Sequence, residues 1–425
     1  MQKQWFAVLV VVGAAAGLIA EADTGWKRDP YPEETSFVAP RATKEISKTP
    51  RTLTSNIRDE KKLKTGLVSP RILLDNPYMD PADPFFNIPR SMACTPDGGL
   101  VVASTAKLAT GGRFQGTPYA SGFWKIAPDG AITALAAKHI VVESAQYPIC
   151  DAPFEKSRIR AEIKPMTRTK DGGFLFASED VILKLTAAGR VELVPPSAPA
   201  CAPPGLSKEA IARFKSAGAA VEDPRGAIWA SDPAGCALLR IDPDGTTHTV
   251  LDKATVCPTD DPANYVLMNY LAWDNVKDEL VTSGAMFWGG PKTNVYSSIW
   301  RVSPSGKARR AYLALKVGKD PLAKRVDGIS GLAIDSKGRI HFGAGIAEGS
   351  GGQIRRLDEK TGASVVVTGS SRPTDVSYAD GPVKQAYFGT VRDLCFAPND
   401  TLFVNDASLV IRKLTTSGQV TTWAF

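Results

Sequence analysis

The sequence predicts an all-β protein, a six-bladed β-propeller of four-stranded antiparallel blades, on three observations. The first is a repeat. A short apolar strand with a central cation occurs as Trp124-Lys125-Ile126, Leu183-Lys184-Leu185, Leu239-Arg240-Ile241, Trp300-Arg301-Val302, Arg355-Arg356-Leu357 and Arg412-Lys413-Leu414. A turn glycine follows each one, at Gly130, Gly189, Gly245, Gly306, Gly362 and Gly418, giving spacings of 59, 56, 61, 56 and 56 residues. A fixed period of this size marks an array of like supersecondary units. The second observation is that each period holds four short β-rich runs broken by Gly, Pro and Asp turns, the pattern of an antiparallel meander. The third is that helix-type periodicity is nearly absent, confined to residues 208–215. Each unit has two apolar faces it cannot bury alone, and six arranged radially bury them around a central channel.

Ahead of the repeats, residues 1–22 read as an export signal. Lys3 supplies a positive start, residues 5–19 form an unbroken apolar run, and Ala20-Glu21-Ala22 places small residues where a signal peptidase reads, with cleavage after Ala22. An uncleaved N-terminal anchor is the rival, although the run is short for a span. No stable membrane span is expected after cleavage, so the protein is expected to be secreted or periplasmic. Residues 23–84 are polar and proline-bearing, an extended leader whose one apolar run is Ile72-Leu73-Leu74. Much of the net charge of +7 lies in this leader, which is a solvated linker in its bland reading. No nucleic-acid partner is expected.

The propeller is expected over residues 85–425. In its last unit Leu394-Cys395-Phe396, Leu402-Phe403-Val404, 409–414 and 420–423 are the four strands, and the same order starts at Met92-Ala93-Cys94. It recurs near 166–194, 220–251, 271–315 and 332–368. As phased, each unit runs from inner to outer strand, so no spare strand joins the last blade to the first. Packing of blade one on blade six must close the ring, with Ile72-Leu73-Leu74 available to add at an edge.

Export makes the six cysteines disulfide candidates. The favoured pairs are Cys150–Cys201 and Cys236–Cys257, which would join loops on one face of neighbouring or identical blades. A Cys94–Cys395 bridge across the closure is disfavoured. Cys94 aligns with Phe396, so the two thiols are expected on opposite sides of their sheets. No Cys-x-x-Cys motif is present.

The segment Asp380-Gly381-Pro382-Val383-Lys384-Gln385-Ala386-Tyr387-Phe388, with Leu394, Phe403-Val404-Asn405-Asp406 and Ile411-Arg412-Lys413, resembles an NHL repeat. Val391 and Asp393 stand where that pattern has Pro and Gly. The resemblance extends more faintly over 331–357 and 223–241, and implies a six-bladed propeller whose members include both binding scaffolds and enzymes.

Propeller ligands usually meet the loops around one channel mouth. Aligning the units puts Arg90, Lys164, Gly218, Asn269, Ser330 and Arg392 at one position leading into the inner strands. Ser91, Pro165, Ala219, Tyr270, Gly331 and Asp393 follow. Asn269-Tyr270-Leu271-Ala272-Trp273 is similar to a segment of the gluconolactonase and regucalcin family, hydrolases that hold a divalent metal at this mouth. Arg90 and Ser330 stand where that family has acids, so no metal and no cofactor are expected. Arg90, Lys164 and Arg392 fall on contiguous blades, and a cation cluster at a concave mouth favours a carboxylate, sulfate or phosphate. Pairing of Asp393 with Arg392 would be the structural reading of the same residues.

Loops at 105–121, 284–298 and 345–352 should share that face. Their aromatics, Tyr119 and Trp288 among them, would either stack on a sugar or partner or pack the loops. His139, His248 and His341 fall at unrelated strand positions, which speaks against a zinc lyase, and no Gly-x-Ser-x-Gly elbow occurs. The strand-three cations are expected to snorkel or to pair with acids after strand two, such as Glu179, Asp232 and Asp406. The function expected is an exported binding or interaction module for a small anionic or glycan ligand, or for another exported protein. Its ligand site would comprise Arg90, Lys164, Asn269, Tyr270, Arg392, Asp393, Trp288 and Tyr119. A hydrolase or lyase at the same mouth is the alternative.

Overall fold

Each period folds into one sheet because its four apolar runs are too short for anything but strands joined by tight turns. The computed structural model describes residues 89–107, 119–141, 152–153, 163, 165–178, 181–194, 214, 217–258, 265–266, 268–288, 294–316, 327–345, 352–369, 379–406 and 410–424. The export signal, the leader, Cys150, Cys201, Glu179 and nearly all of the 208–215 segment lie outside them.

Blade one is β1 (Pro89–Cys94), β2 (Leu100–Lys107), β3 (Tyr119–Ile126) and β4 (Ile132–Val141). Blade two comprises β5 (Ala152–Pro153), β6 (Thr167–Arg168), β7 (Phe174–Ser178), β8 (Val181–Leu185) and β9 (Arg190–Val194). Blade three is β10 (Ala220–Glu222), β11 (Ile228–Asp232), β12 (Ala237–Ile241) and β13 (Thr247–Leu251), followed by a single turn of helix, α1 (Lys253–Val256). Blade four is β14 (Tyr270–Asp274), β15 (Glu279–Trp288), β16 (Asn294–Val302) and β17 (Ala308–Lys316). Blade five is β18 (Asp327–Ile334), β19 (Ile340–Gly345), β20 (Gly352–Asp358) and β21 (Ala363–Thr368). Blade six comprises β22 (Gly381–Pro382), β23 (Val391–Phe396), β24 (Leu402–Asp406), β25 (Val410–Leu414) and β26 (Gln419–Ala424).

Four sheets are four-stranded meanders. In blades two and six the preceding segment adds a short fifth strand, β5 or β22, outside the outermost one. The inner strands β1, β6, β10, β14, β18 and β23 neighbour one another in that order, and β23 returns to β1, so the ring is closed. No helix of the described residues is long and apolar enough to cross a membrane.

The predicted turn glycines between strands three and four all adopt left-handed backbone, with φ from 69° at Gly362 to 86° at Gly130. That conformation costs a side-chain-bearing residue energy and costs glycine almost none.

Closure corrects one expectation. Cys94 and Cys395 are bridged, with Cα atoms 5.7 Å apart, as are Cys236 and Cys257. The one-residue offset between Cys94 and Cys395 favours the bridge, because neighbouring blades pack unlike faces together. Met92, Cys94, Leu100 and Val102 of blade one face Cys395, Ala397, Phe403 and Ile411 of blade six. Ala93, Val101, Ala103 and Phe123 face blade two. Side chains alternate along a strand, so a residue on the face toward the next blade meets one of opposite parity there. The two disulfides are consistent with an extracellular or periplasmic protein.

The strand-three cations also depart from expectation. Lys125 and Lys184 reach the acids of their own first turns, Asp97 at 2.8 Å and Asp171 at 2.5 Å, and not acids after strand two. Lys125 beside it holds the Asp97 carboxyl at about 2. Arg301 is fully buried between Asp274 at 2.7 Å and Glu359 of the next blade at 2.7 Å. Asp406 does receive a strand-three cation, Arg412 at 3.5 Å, which also binds Asp380 at 2.6 Å. Asp232 accepts from Gly235 N at 2.9 Å.

Parts of the expected mouth loops are strand. Gly284 to Trp288 pair residue for residue with Ser298 to Asn294, and Thr105 to Lys107 pair with Ser121 to Tyr119, so β2–β3 and β15–β16 extend as long hairpins.

Candidate binding site at the channel mouth

The inner strands begin at the mouth, and three of them are bulged there; in blade five the extra residues are Gly328 and Gly331. Pro89 pairs with Ser104 and Ser91 with Ala103, which leaves Arg90 as the extra residue. In blade six Val391 pairs with Asp406 and Asp393 with Asn405, which leaves Arg392 extra in the same way. A bulge takes one residue out of the ladder and re-aims its side chain, and bulges concentrate beside functional sites. The aligned position is thus distorted alike in two adjacent blades, each time at an arginine.

Both arginines are half-buried, and among the described residues neither has a carboxylate within ion-pair distance. Burial and then the positive charge of Arg90 push the Arg392 guanidinium below its usual range, while Tyr270 and Asp406 pull weakly the other way. Two like charges in a partly desolvated place repel each other.

Asp393 does not neutralise them. Its Oδ2 accepts from Ser91 Oγ at 2.8 Å and Met92 N at 3.0 Å, and its Oδ1 from Leu394 N at 2.9 Å. Ser91 Oγ in turn accepts from Met166 N at 2.6 Å. One hydrogen-bonded chain thereby ties blades six, one and two at the channel. Burial outweighs these donors and pushes the Asp393 carboxyl up to about 6.

Tyr270 spans from blade four to blade six. Its hydroxyl donates to the Arg392 carbonyl at 3.4 Å and takes a backbone hydrogen bond from Gly331. Burial, with Asp393 nearby, pushes this phenol up to about 12. Gly331 makes the approach sterically feasible. Its φ is 74°, and a Cβ there would sit 3.1 Å from Asp393 Cα.

Of the residues expected to bind, Arg90, Arg392, Asp393 and Tyr270 meet at this mouth. Tyr270 and Asp393 act as its floor and not as free ligands. Asn269 is exposed beside them, with its N–H on the Ser283 carbonyl at 2.9 Å. Lys164 and the side chains of Tyr119 and Trp288 lie outside the described residues. Ser91 was not singled out from the sequence, nor were two latches between blades. Ser231 Oγ donates to Met268 O at 2.8 Å, and Asn405 Nδ2 to Pro89 O at 3.2 Å. Both carbonyls immediately precede an aligned mouth residue, Asn269 or Arg90. The available signal was the run of small residues at one place in strand two: Ala103, Ala177, Ser231, Ser283, Gly343 and Asn405.

The side chains described at this mouth do not fit a divalent cation. Among the described residues no three His, Cys, Asp or Glu side chains converge, and the Asp393 oxygens already face three donors beside two arginines.

No protein-family model matches the sequence, and no curated protein is similar to it above chance. Solved structures are similar to this chain at low identity. A Bacteroides thetaiotaomicron protein of unknown function is 13% identical, with 77% of this chain and 69% of that one covered and a TM-score of 0.47. A catalytically inactive virginiamycin B lyase from Staphylococcus aureus, with quinupristin, is 15% identical over 80% and 85%, TM-score 0.42. A Xanthomonas campestris gluconolactonase is 14% identical over 80% and 87%, TM-score 0.41.

Proposed function

We propose that this propeller is an exported binding module of NHL type whose channel mouth captures an anionic group. The ligand is a small molecule or glycan bearing a carboxylate, sulfate or phosphate. The supporting observation is the pair of half-buried arginines, Arg90 and Arg392, on matching bulges of adjacent blades with no acid partner among the described residues. A planar guanidinium offers paired N–H donors that match the two oxygens of such a group. Tyr270, Gly331 and the Asp393–Ser91 chain hold the backbone that presents them.

Calorimetric titration with sulfated, carboxylated and neutral oligosaccharides tests this reading. Binding should be confined to the anionic members, weaken as salt rises, and vanish in the Arg90→Ala, Arg392→Ala double variant without loss of melting temperature. Equal loss of binding and melting temperature would assign the arginines to the frame.

A hydrolase or lyase at the same mouth is the second reading. Its support is Asp393, whose carboxyl burial pushes up to about 6 beside the arginines, toward the range a general acid or base needs. Turnover of a bound anion, lost in Asp393→Asn with binding retained, would favour it over simple capture.

A further inference from the structure

At the end of the ring opposite the mouth, one blade breaks the repeat. The strand-two residue facing the strand-three cation is Val101, Leu175, Trp229, Val281 and Phe403 in five blades, and His341 in blade five. The cation facing it is Arg356. In the other blades that cation is engaged. Lys125 and Lys184 bind turn acids, Arg240 binds Asp242 at 2.6 Å, Arg301 is buried among acids, and Lys413 lies over the Phe403 ring. In blade five the turn acid is taken by others. Asp335 receives Arg339 Nε at 2.6 Å, the Lys337 and Arg339 N–H groups, and His341 Nε2 at 3.2 Å. Arg356 and the neighbouring Lys337 make no ion pair among the described residues.

The tautomer of His341 follows from its partner. In blade three the Trp229 Nε1–H donates to Asp223 at 3.1 Å, and His341 Nε2 stands in the same relation to Asp335. A carboxylate only accepts, so Nε2 carries the proton and Nδ1 is a bare acceptor. That Nδ1 is buried and has no partner among the described residues, in a side chain only 7% exposed. Burial, larger than the pull of Asp335, lowers the imidazole to about 4, so the ring is neutral at physiological pH.

These groups line a groove of about 380 Å³ between blades five and six. Phe396, Leu402 and Leu414 form its apolar wall, with the Phe396 ring edge-on to His341 at 4.9 Å. Asp400, the other acid there, is occupied by Ser336 N at 2.9 Å and Ser336 Oγ at 2.7 Å. The volume is that of a small-molecule site.

We propose that this groove is a second ligand site, independent of the mouth, for a small organic anion with an apolar body and a hydrogen-bond donor. Lys337 and Arg356 take the anionic group, His341 Nδ1 accepts from the donor, and the body lies on Phe396, Leu402 and Leu414. The three recognition elements are a charge, a directional acceptor and an apolar wall, which together define a ligand class and not merely a sticky surface.

The probe is 8-anilinonaphthalene-1-sulfonate, which carries a sulfonate, an anilino N–H and an apolar body, followed by fluorescence titration of the folded protein. One saturable site is expected. Its affinity should fall about tenfold or more in Lys337→Ala, Arg356→Ala, two surface changes that leave the melting temperature in place. The uncharged N-phenyl-1-naphthylamine should bind weakly and ignore that variant. His341→Phe, which keeps the ring and removes the acceptor, should weaken sulfonate binding too, and the variant lacking Arg90 and Arg392 should keep it. Unchanged affinity without Lys337 and Arg356, equal binding of the uncharged analogue, or loss confined to the mouth variant would each overturn the assignment.

Discussion

Removing the Cys94–Cys395 bridge tests how the ring is closed. The two cysteines are 301 residues apart, whereas Cys236 and Cys257 are 21 apart. In the chain-entropy treatment, a cross-link stabilises by restricting the unfolded chain, and the effect grows with the logarithm of the loop. For the two loops this gives about 5.7 and about 3.3 kcal/mol as upper values at 25 °C. Spread over roughly 340 residues, the unfolding entropy near the midpoint is about 0.7 kcal/mol per kelvin. Cys94→Ala with Cys395→Ala should therefore lower the melting temperature by up to about 8 °C, and Cys236→Ala with Cys257→Ala by up to about 5 °C. Differential scanning calorimetry of the oxidised protein and both double variants reads the ranking directly, with a reduced wild-type sample as a control. If the short-loop variant lost more than the long-loop one, or the reduced protein melted with the oxidised one, covalent closure between blades one and six would not be what limits opening of the ring.

Three further outcomes follow from individual contacts. The folded Asp393 carboxyl keeps its proton up to about 6, whereas the unfolded one releases it near 3.8, so the folded state binds more protons between those values and stability falls as pH rises through that window. Asp393→Asn should abolish this pH 4–6 decline, worth about 3 kcal/mol, in urea midpoints measured across pH; an identical decline in the variant would remove Asp393 as its source. Arg301→Met should destabilise by about 3–5 kcal/mol in the same assay, since it leaves the Asp274 carboxylate buried without its cation; a neutral result would show that the apolar replacement compensates. Gly331→Ala should cost about 1–3 kcal/mol through the left-handed backbone and the crowding against Asp393, and should lower anion affinity by shifting Tyr270; wild-type affinity at reduced stability would separate that floor from binding.

The blades were legible because their signals are local. Apolar alternation, turn glycines and the period specify hairpins whose partners are close in sequence, and the structure forms all six in the expected order. The mouth was legible in part. Alignment brought Arg90 and Arg392 to one position, and in the structure the charge of Arg90 acts on Arg392. Among the described residues no acid pairs with them, and Asp393 turns to Ser91, 302 residues away, which no local pattern specifies. The Cys94–Cys395 bridge failed the register argument for a related reason. Alignment of units gives which face of its own sheet a residue occupies, and says nothing of which face the neighbouring sheet turns toward it.

What the residues alone decide, then, is the number of blades, the strand order within each and the turns, since strand alternation and left-handed glycines act within a few residues. Only the closed ring decides what lies opposite what between blades. Stacking unlike faces reverses the parity of every cross-blade contact, and a one-residue bulge moves an arginine out of its ladder. The buried Asp393 carboxyl arises at such a junction, where it meets Ser91 302 residues away, whereas the competition for Asp335 around His341 lies within blade five.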